Sequence, residues 1–352
     1  MIYGKKLGLL ICVFLGLFLF LSLPSAQSAD PTGNAPIMVA SQEATIPLSA
    51  NAVTGASETE SPYKLRIKAG ALFLHRQDND SRTLVANLGG GTELINADDL
   101  DLGFAAGMDI SLMGQFREFG AELRYFGLHD WSESKTIGST GAMISYPGFT
   151  VGYFFSNGMN ISADYNSKIN NAEFNLHWWP CANERYHLLF GLRWIRLNER
   201  LDIDLANTVA DTIIDRHKIT ADNRLWGGQL GIEGILLGNQ KQGFSVNGFL
   251  KAGYYNNNLK SGMSEQVFAG SASRRTDQGT FVGEMGIGAQ YAFTRNISLG
   301  ARYQLLWLDH VALAPEQMHG LEPAMSPEHG GGSVKWDDVL YQGGWVGLTI
   351  SF

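Results

Sequence analysis

Residues 279–310 read GTFVGEMGIGAQYAFTRNISLGARYQLLWLDH. Met285, Ile287, Ala289, Tyr291 and Phe293 take every second position. Thr294-Arg295 then interrupts, and Ile297, Leu299, Ala301, Tyr303, Leu305 and Trp307 resume the alternation. Successive side chains of a β-strand point to opposite faces, so a period of two means one apolar and one polar face. Two such runs joined by so short a break predict neighbouring antiparallel strands.

The same pattern extends through most of the chain. Leu65, Ile67, Ala69, Ala71 and Phe73 alternate with Lys64, Arg66 and Lys68, and similar runs are Phe174-Leu176-Trp178, Leu188-Phe190-Leu192-Trp194 and Phe244-Val246-Gly248-Leu250-Ala252-Tyr254. Ten segments result, at about residues 64–75, 101–113, 118–132, 167–179, 185–200, 219–236, 243–257, 279–293, 296–310 and 338–352. Each reaches the roughly 9–11 residues that a tilted strand needs to cross a bilayer. The connections at 114–117, 180–184, 238–242 and 294–295 are short, whereas those near 76–100, 133–166, 201–218, 258–278 and 311–337 are long and polar. An even strand count with short turns at one end and long loops at the other predicts an all-β, antiparallel transmembrane barrel of about ten strands, with short periplasmic turns and long extracellular loops. Ile144 to Phe155 has room for one more hairpin, which would make twelve. A soluble β-sandwich alternates too, but has no reason to segregate loop lengths in this way.

Composition narrows the field further. Hydrophobic residues make up 45% and charged residues only 17%, below the roughly 25% of a soluble domain. After the first 23 residues no apolar run approaches a membrane-spanning helix, which excludes a polytopic helical protein. Lys and Arg number 26 against 34 Asp and Glu, with no basic patch, so nucleic acid is not an expected partner.

Lys5 and Lys6 precede an apolar run from Leu7 to Leu23, then Pro24 and the small residues Ser25 to Ala29. These are the three parts of a secretory signal peptide, residues 1–29, an uncleaved anchor being the alternative. Ile11 is too bulky before Cys12 for a lipoprotein signal, and once the leader is removed Cys181 is alone. Residues 30–62 contain no Lys or Arg and no period, and read as a flexible lead segment ahead of a barrel spanning 63–352. In the last strand Val346, Leu348, Ile350 and Phe352 form an apolar face ending in an aromatic residue. That looks like the assembly signal of bacterial outer-membrane proteins, which implies the cell outer membrane as address and the insertion machinery and lipid bilayer as partners.

With the apolar face toward lipid, parity places Arg66, Lys68, Arg124, Arg193, Lys251 and Arg302 in the lumen, together with Asp109, Glu122, Glu173, Glu233 and Glu284. Such charges must be paired or wetted, and their near balance predicts no strong ion selectivity. Barrels of about eight strands are filled by side chains and those of 16–18 leave a channel, so ten strands with long Arg and Glu side chains predict a narrow or blocked lumen. Trp178, Trp179, Tyr186, Phe244, Phe293 and Phe352 lie by the short turns, and Trp131, Trp226, Tyr254, Trp307 and Tyr341 toward the long loops, as two interfacial girdles would.

No phosphate-binding glycine loop, zinc spacing or nucleophile elbow is present in the sequence, so no cofactor, metal or catalytic residue is expected. His75, His129, His217, His310, His319 and His329 fall toward the loop side, where imidazoles are ordinarily solvated. An omptin-like protease would use His129-Asp130 and Asp309-His310, but adjacent strand residues point to opposite faces and converge poorly.

Three stretches carry a family resemblance: Glu122-Leu123-Arg124-Tyr125-Phe126-Gly127-Leu128 with Trp131, Asn171-Ala172-Glu173-Phe174-Asn175-Leu176 before Trp178, and Gly191-Leu192-Arg193-Trp194 continuing to Leu197 and Glu199. Together they resemble beta-barrel porin family seven, secreted barrel proteins abundant in planctomycete bacteria, over about residues 64–352. The resemblance implies an outer-membrane address and passive permeation, and it brings no catalytic residues. The expected function is a non-enzymatic, porin-like barrel passing small solutes slowly. The alternative is a structural or surface-interaction barrel with a closed lumen that displays its long loops.

Overall fold

The computed structural model describes residues 63–77, 81–88, 91–138, 141, 143–146, 152–155, 157–180, 185–238, 243–267, 270–318, 321–322 and 331–352. The expected signal peptide, the lead segment and Cys181 lie outside the described residues.

In chain order the strands are β1 (Tyr63–Arg76), β2 (Thr83–Asn87), β3 (Glu93–Asn96), β4 (Phe104–Phe116), β5 (Phe119–Gly138), β6 (Met143–Ser145), β7 (Gly152–Phe154) and β8 (Met159–Trp178). There follow β9 (Tyr186–Asn207), β10 (Thr212–Gly238), β11 (Gly243–Glu265), β12 (Ser271–Ala292), β13 (Ile297–Val311), β14 (Leu321–Glu322), β15 (Gly331–Gly332) and β16 (Asp337–Ser351). Ten of them form a closed barrel in the order β1-β16-β13-β12-β11-β10-β9-β8-β5-β4. The seam is made by β1, which pairs antiparallel with both β16 and β4. All ten expected segments are barrel strands. The hairpin at 144–155 exists as β6-β7, but it joins β2 and β3 in a separate four-stranded sheet and adds nothing to the barrel.

Several strands run well past the expected boundaries. β10 has 27 residues and β9 has 22, at least twice the roughly 9–11 that a bilayer takes. Much of 133–138, 201–218 and 258–278 is therefore ladder rather than loop. The reason lies on the outward face of β9 and β10. Leu192 and Leu230 are exposed there, and the Trp194 and Trp226 rings lie 6.2 Å apart as register partners. Beyond that level the same face carries ion pairs: Arg196 with Asp222 at 2.8 Å, Arg224 with Asp222 at 2.7 Å, Arg216 with Asp204 at 2.6 Å, and Arg200 with Asp202. A half-exposed pair is worth at most about 1 kcal/mol. These pairs suit a water-facing ladder and, in sequence, imitate a polar loop.

The inward face changes in the opposite sense. In the short-turn half it is charged. In the long-loop half Leu72, Leu74, Phe126, Leu128, Ile195, Leu197 and Leu306 are wholly buried. Leu84, Val85 and Ile95 of the small sheet, with Ile144, Tyr146 and Phe155, extend the same apolar core. Two residues expected in the outer girdle belong to it: Trp131 and Tyr341 are buried, their rings 5.4 Å apart. A register shift between Leu128 and Trp131 accompanies the inward Trp131, and Tyr341 shares the inward parity of Trp345. Trp226 and Tyr254 are exposed on the outer face as expected.

Closure of the seam depends on a close backbone approach. A Cβ on Gly343 would lie 1.9 Å from the Phe73 carbonyl oxygen and 2.9 Å from the Leu74 Cα. Gly343→Val is expected to abolish the fast-migrating, heat-modifiable species on electrophoresis. Gly114→Ala, with nothing within 4 Å of its Cβ, is expected to retain it.

Candidate functional site

The barrel interior is the candidate site, because the lumen is the one enclosure that all ten strands build. Period-two alternation brings one inward residue from each of seven strands to a common level. At mid-height these are Asp109 (β4), Arg124 (β5), Glu173 (β8), Arg193 (β9), Lys251 (β11), Glu284 (β12) and Arg302 (β13), the first six of them buried.

These groups neutralise one another across the bore. Arg124 donates to both Asp109 oxygens at 2.9 and 3.2 Å, and its Nη1 lies 3.1 Å from Glu173 Oε1 and 2.8 Å from Glu284 Oε1. Arg193 Nη1 is 2.8 Å from Glu284 Oε2, Lys251 Nζ is 2.8 Å from Glu173 Oε2, and Arg302 Nη2 is 2.6 Å from Asp109 Oδ2. Asn171, Asn175 and Gln229 donate to the remaining Glu173 lone pairs at 3.0, 3.1 and 2.9 Å. A buried ion pair survives only when such extra hydrogen bonds complete its shell. Five places around the ten-strand ring separate β5 from β12, so the contact between Arg124 and Glu284 spans the full diameter.

Nearer the short turns, Lys68 approaches Glu233 at 3.8 Å, also from opposite walls. His177 lies 3.4 Å from Glu122, and His187 lies 3.7 Å from Glu233. Arg66 is half-buried at the turn end of β1, opposite Ser351 and Met113. A cavity of about 30 Å³ remains beside Lys68, Asp109, Glu122, Glu233 and Lys251, room for one or two waters.

The apolar layer closes the bore above this network, and the chain after β13 caps it. Val311 to Met318, with one helical turn at Ala314–Gln317, is buried throughout. Asn223 clamps Ala312 by both its backbone groups, at 2.8 and 2.9 Å. The Ala314 N–H donates to Glu199 Oε2 at 2.8 Å. Glu199 itself is wholly buried, 2.6 Å from Arg76 and 2.8 Å from the Tyr165 hydroxyl that donates to it. From the rim of the small sheet Arg82 reaches Glu316 at 3.1 Å. This second polar node was not anticipated from the sequence, although Arg76 and Glu199 both had inward parity as a signal.

Elsewhere the structure separates or relocates the other candidates. Val346, Leu348, Ile350 and Phe352 line the outer face by the seam, and the Phe352 N–H donates to the Leu65 carbonyl at 2.8 Å. His129 faces outward, 2.8 Å from Asn170 Oδ1. The pair Asp309–His310 is local, 2.5 Å apart, on a strand four places around the ring from that of His129. Among the described residues no convergent acid–imidazole arrangement links them. His319, His329 and the Asp130 side chain lie outside the described residues. His217, expected to be solvated in a loop, is instead wholly buried on the inner face of β10, because the ladder continues past it.

A family model described as "Putative beta barrel porin-7" matches residues 113–327, more than half of the chain. No curated protein matches. Among solved structures, the outer membrane protease OmpT from Escherichia coli is 11% identical with a TM-score of 0.45, covering 82% of this chain and 96% of that one. The toluene transporter TbuX from Ralstonia pickettii is 7% identical with a TM-score of 0.33, over 82% of this chain and 88% of that one. OprG from Pseudomonas aeruginosa is 9% identical with a TM-score of 0.22, over 82% and 95%.

Glu173 is the acid on which the charged layer converges. Glu173→Ala leaves a buried surplus of positive charge and is expected to cost about 3–5 kcal/mol, read as a lower urea midpoint of the folded barrel. The double variant Glu173→Gln/Lys251→Met is expected to recover part of that loss, because the surplus is removed.

Proposed function

We propose that this chain, which belongs to the Putative beta barrel porin-7 family, works as an outer-membrane barrel with a closed lumen, anchoring an elaborate outer end rather than conducting solute. The observation that carries this reading is the contact between Arg124 and Glu284, 2.8 Å long across the diameter of the ring. The wholly buried apolar layer and the capping stretch from Val311 to Met318 support it. Opening such a bore would require stranding several charges in a poorly hydrated interior, at a cost of several kcal/mol for each. The outward parity of His129 and its separation from Asp309–His310 favour a non-enzymatic role.

The family's name favours permeation instead. That reading needs Val311–Met318 to leave the barrel and the charged layer to rearrange around a solute. Conductance separates the two. Folded, heat-modifiable protein in planar bilayers is expected to be silent at moderate voltages, and steady single-channel steps abolished by heat denaturation would overturn the closed-lumen reading.

The orientation is tested separately. In a Cys181→Ser background, Val209→Cys places a thiol on the 87% exposed tip between β9 and β10. A large, membrane-impermeant maleimide is expected to label it on intact cells. Glu118→Cys, in the short turn between β4 and β5, is expected to react only after the outer membrane is broken.

A further inference from the structure

The long-loop end holds a second cluster that the closed lumen does not use. Asp215 and His217 on β10 and Glu265 at the end of β11 all face the interior and are buried. One ligand atom from each lies within 4.8 Å of the others. His217 and Glu265 are register partners across the ladder, and Asp215, two residues earlier, shares their face. The regular pairing of β10 with β9 is broken by a register shift between Ile213 and Asp215. Bulges gather beside functional sites, where they re-aim a side chain.

The carboxylate of Asp215 is oriented through backbone amides. Its Oδ1 accepts the Arg216 N–H at 2.8 Å and the Val267 N–H at 3.1 Å. Its Oδ2 lies 2.9 Å from His217 Nε2. From the small sheet the Tyr146 ring covers the imidazole, centroids 4.2 Å apart, and limits the approach of bulk water.

We infer that Asp215, His217 and Glu265 bind a zinc ion, which fastens β10 to β11 beneath the small sheet. One imidazole nitrogen and two carboxylate oxygens are donors that zinc accepts at about 2.0–2.2 Å, which in a tetrahedron sets the donor atoms about 3.4 Å apart. The three groups, already within 4.8 Å of one another, stand near that spacing. A dication compensates two carboxylates in charge. Magnesium and calcium prefer all-oxygen shells and six or more ligands, so the imidazole disfavours them. Three protein ligands leave the fourth position to water. The site goes beyond the closed-lumen proposal and does not depend on it, since neither a conducting nor a silent bore alters these three residues.

The test uses the full chain folded in detergent, stripped with a chelator, desalted and loaded with zinc alone. Elemental analysis is expected to find one zinc retained per chain. Glu265→Gln, nearly isosteric, and His217→Asn are each expected to weaken retention at least tenfold, while His129→Asn and His310→Asn keep the wild-type value. Cobalt loaded in place of zinc is expected to give a visible ligand-field band in the wild type that Glu265→Gln loses, with heat-modifiable migration confirming that the variant is folded. Folded wild type that retains no stoichiometric zinc overturns the proposal. So does retention unchanged by Glu265→Gln, or lost equally in His310→Asn.

Discussion

Hydrocarbon offers the backbone no hydrogen-bonding partner, so a sheet inside a bilayer has to close on itself. In this chain that obligation falls on the seam between β1 and β16, paired from Arg66↔Ser351 to Arg76↔Tyr341. Gly343 lets the two backbones meet there, and the Leu65–Phe352 hydrogen bonds carry the ladder to the last residue. An open seam would leave two rows of amide groups unsatisfied, each costing several kcal/mol in lipid. Strand tilt, the common level of inward residues and the existence of a lumen all presuppose that seam.

Closure also gives the wall two surfaces, and near Trp194 and Trp226 they exchange character. Below that level Leu192 and Leu230 face outward and Glu173, Arg193 and Glu284 face inward. Above it the ion pairs of Arg196, Asp222, Asp204 and Arg216 face outward, while Leu197, Leu201 and Ile203 face inward. The lower half is a membrane protein and the upper half is built like a soluble β protein around its own apolar core. Each buried aliphatic side chain there contributes about 1.5–3 kcal/mol. The upper half therefore draws stability from its own core rather than from lipid.

That exchange explains what was legible in the sequence. In the lipid band a charge has only one tolerable direction, so parity alone directed Arg124, Glu173, Arg193, Lys251 and Glu284 to a common interior. The ten strands were legible for the same reason. Above the band the apolar parity moves from the outward to the inward face, so the alternation changes phase, and with ion pairs outside the extensions of β9, β10 and β11 read as polar loops. Trp131 and Tyr341 misled because an aromatic residue near a strand end suits either an interfacial belt or a core, and only the register decides. The hairpin at 144–155 was visible as alternation, but its pairing with β2 joins segments far apart in sequence. Nothing local in the sequence encodes that pairing. His217 was hidden by the same effect, being counted with loop residues although it lies on a strand.

The salt links through the centre have a mechanical consequence. A hollow barrel in a fluid bilayer can be squashed toward an ellipse by uneven lateral pressure, since its hoop resists only through inter-strand twist. Here Arg124 to Glu284 and Lys68 to Glu233 act as spokes between opposite walls, with Arg76 to Glu199 at another height. Flattening along one axis lengthens some spokes and compresses others, so the cross-section stays round as the surrounding lipid changes.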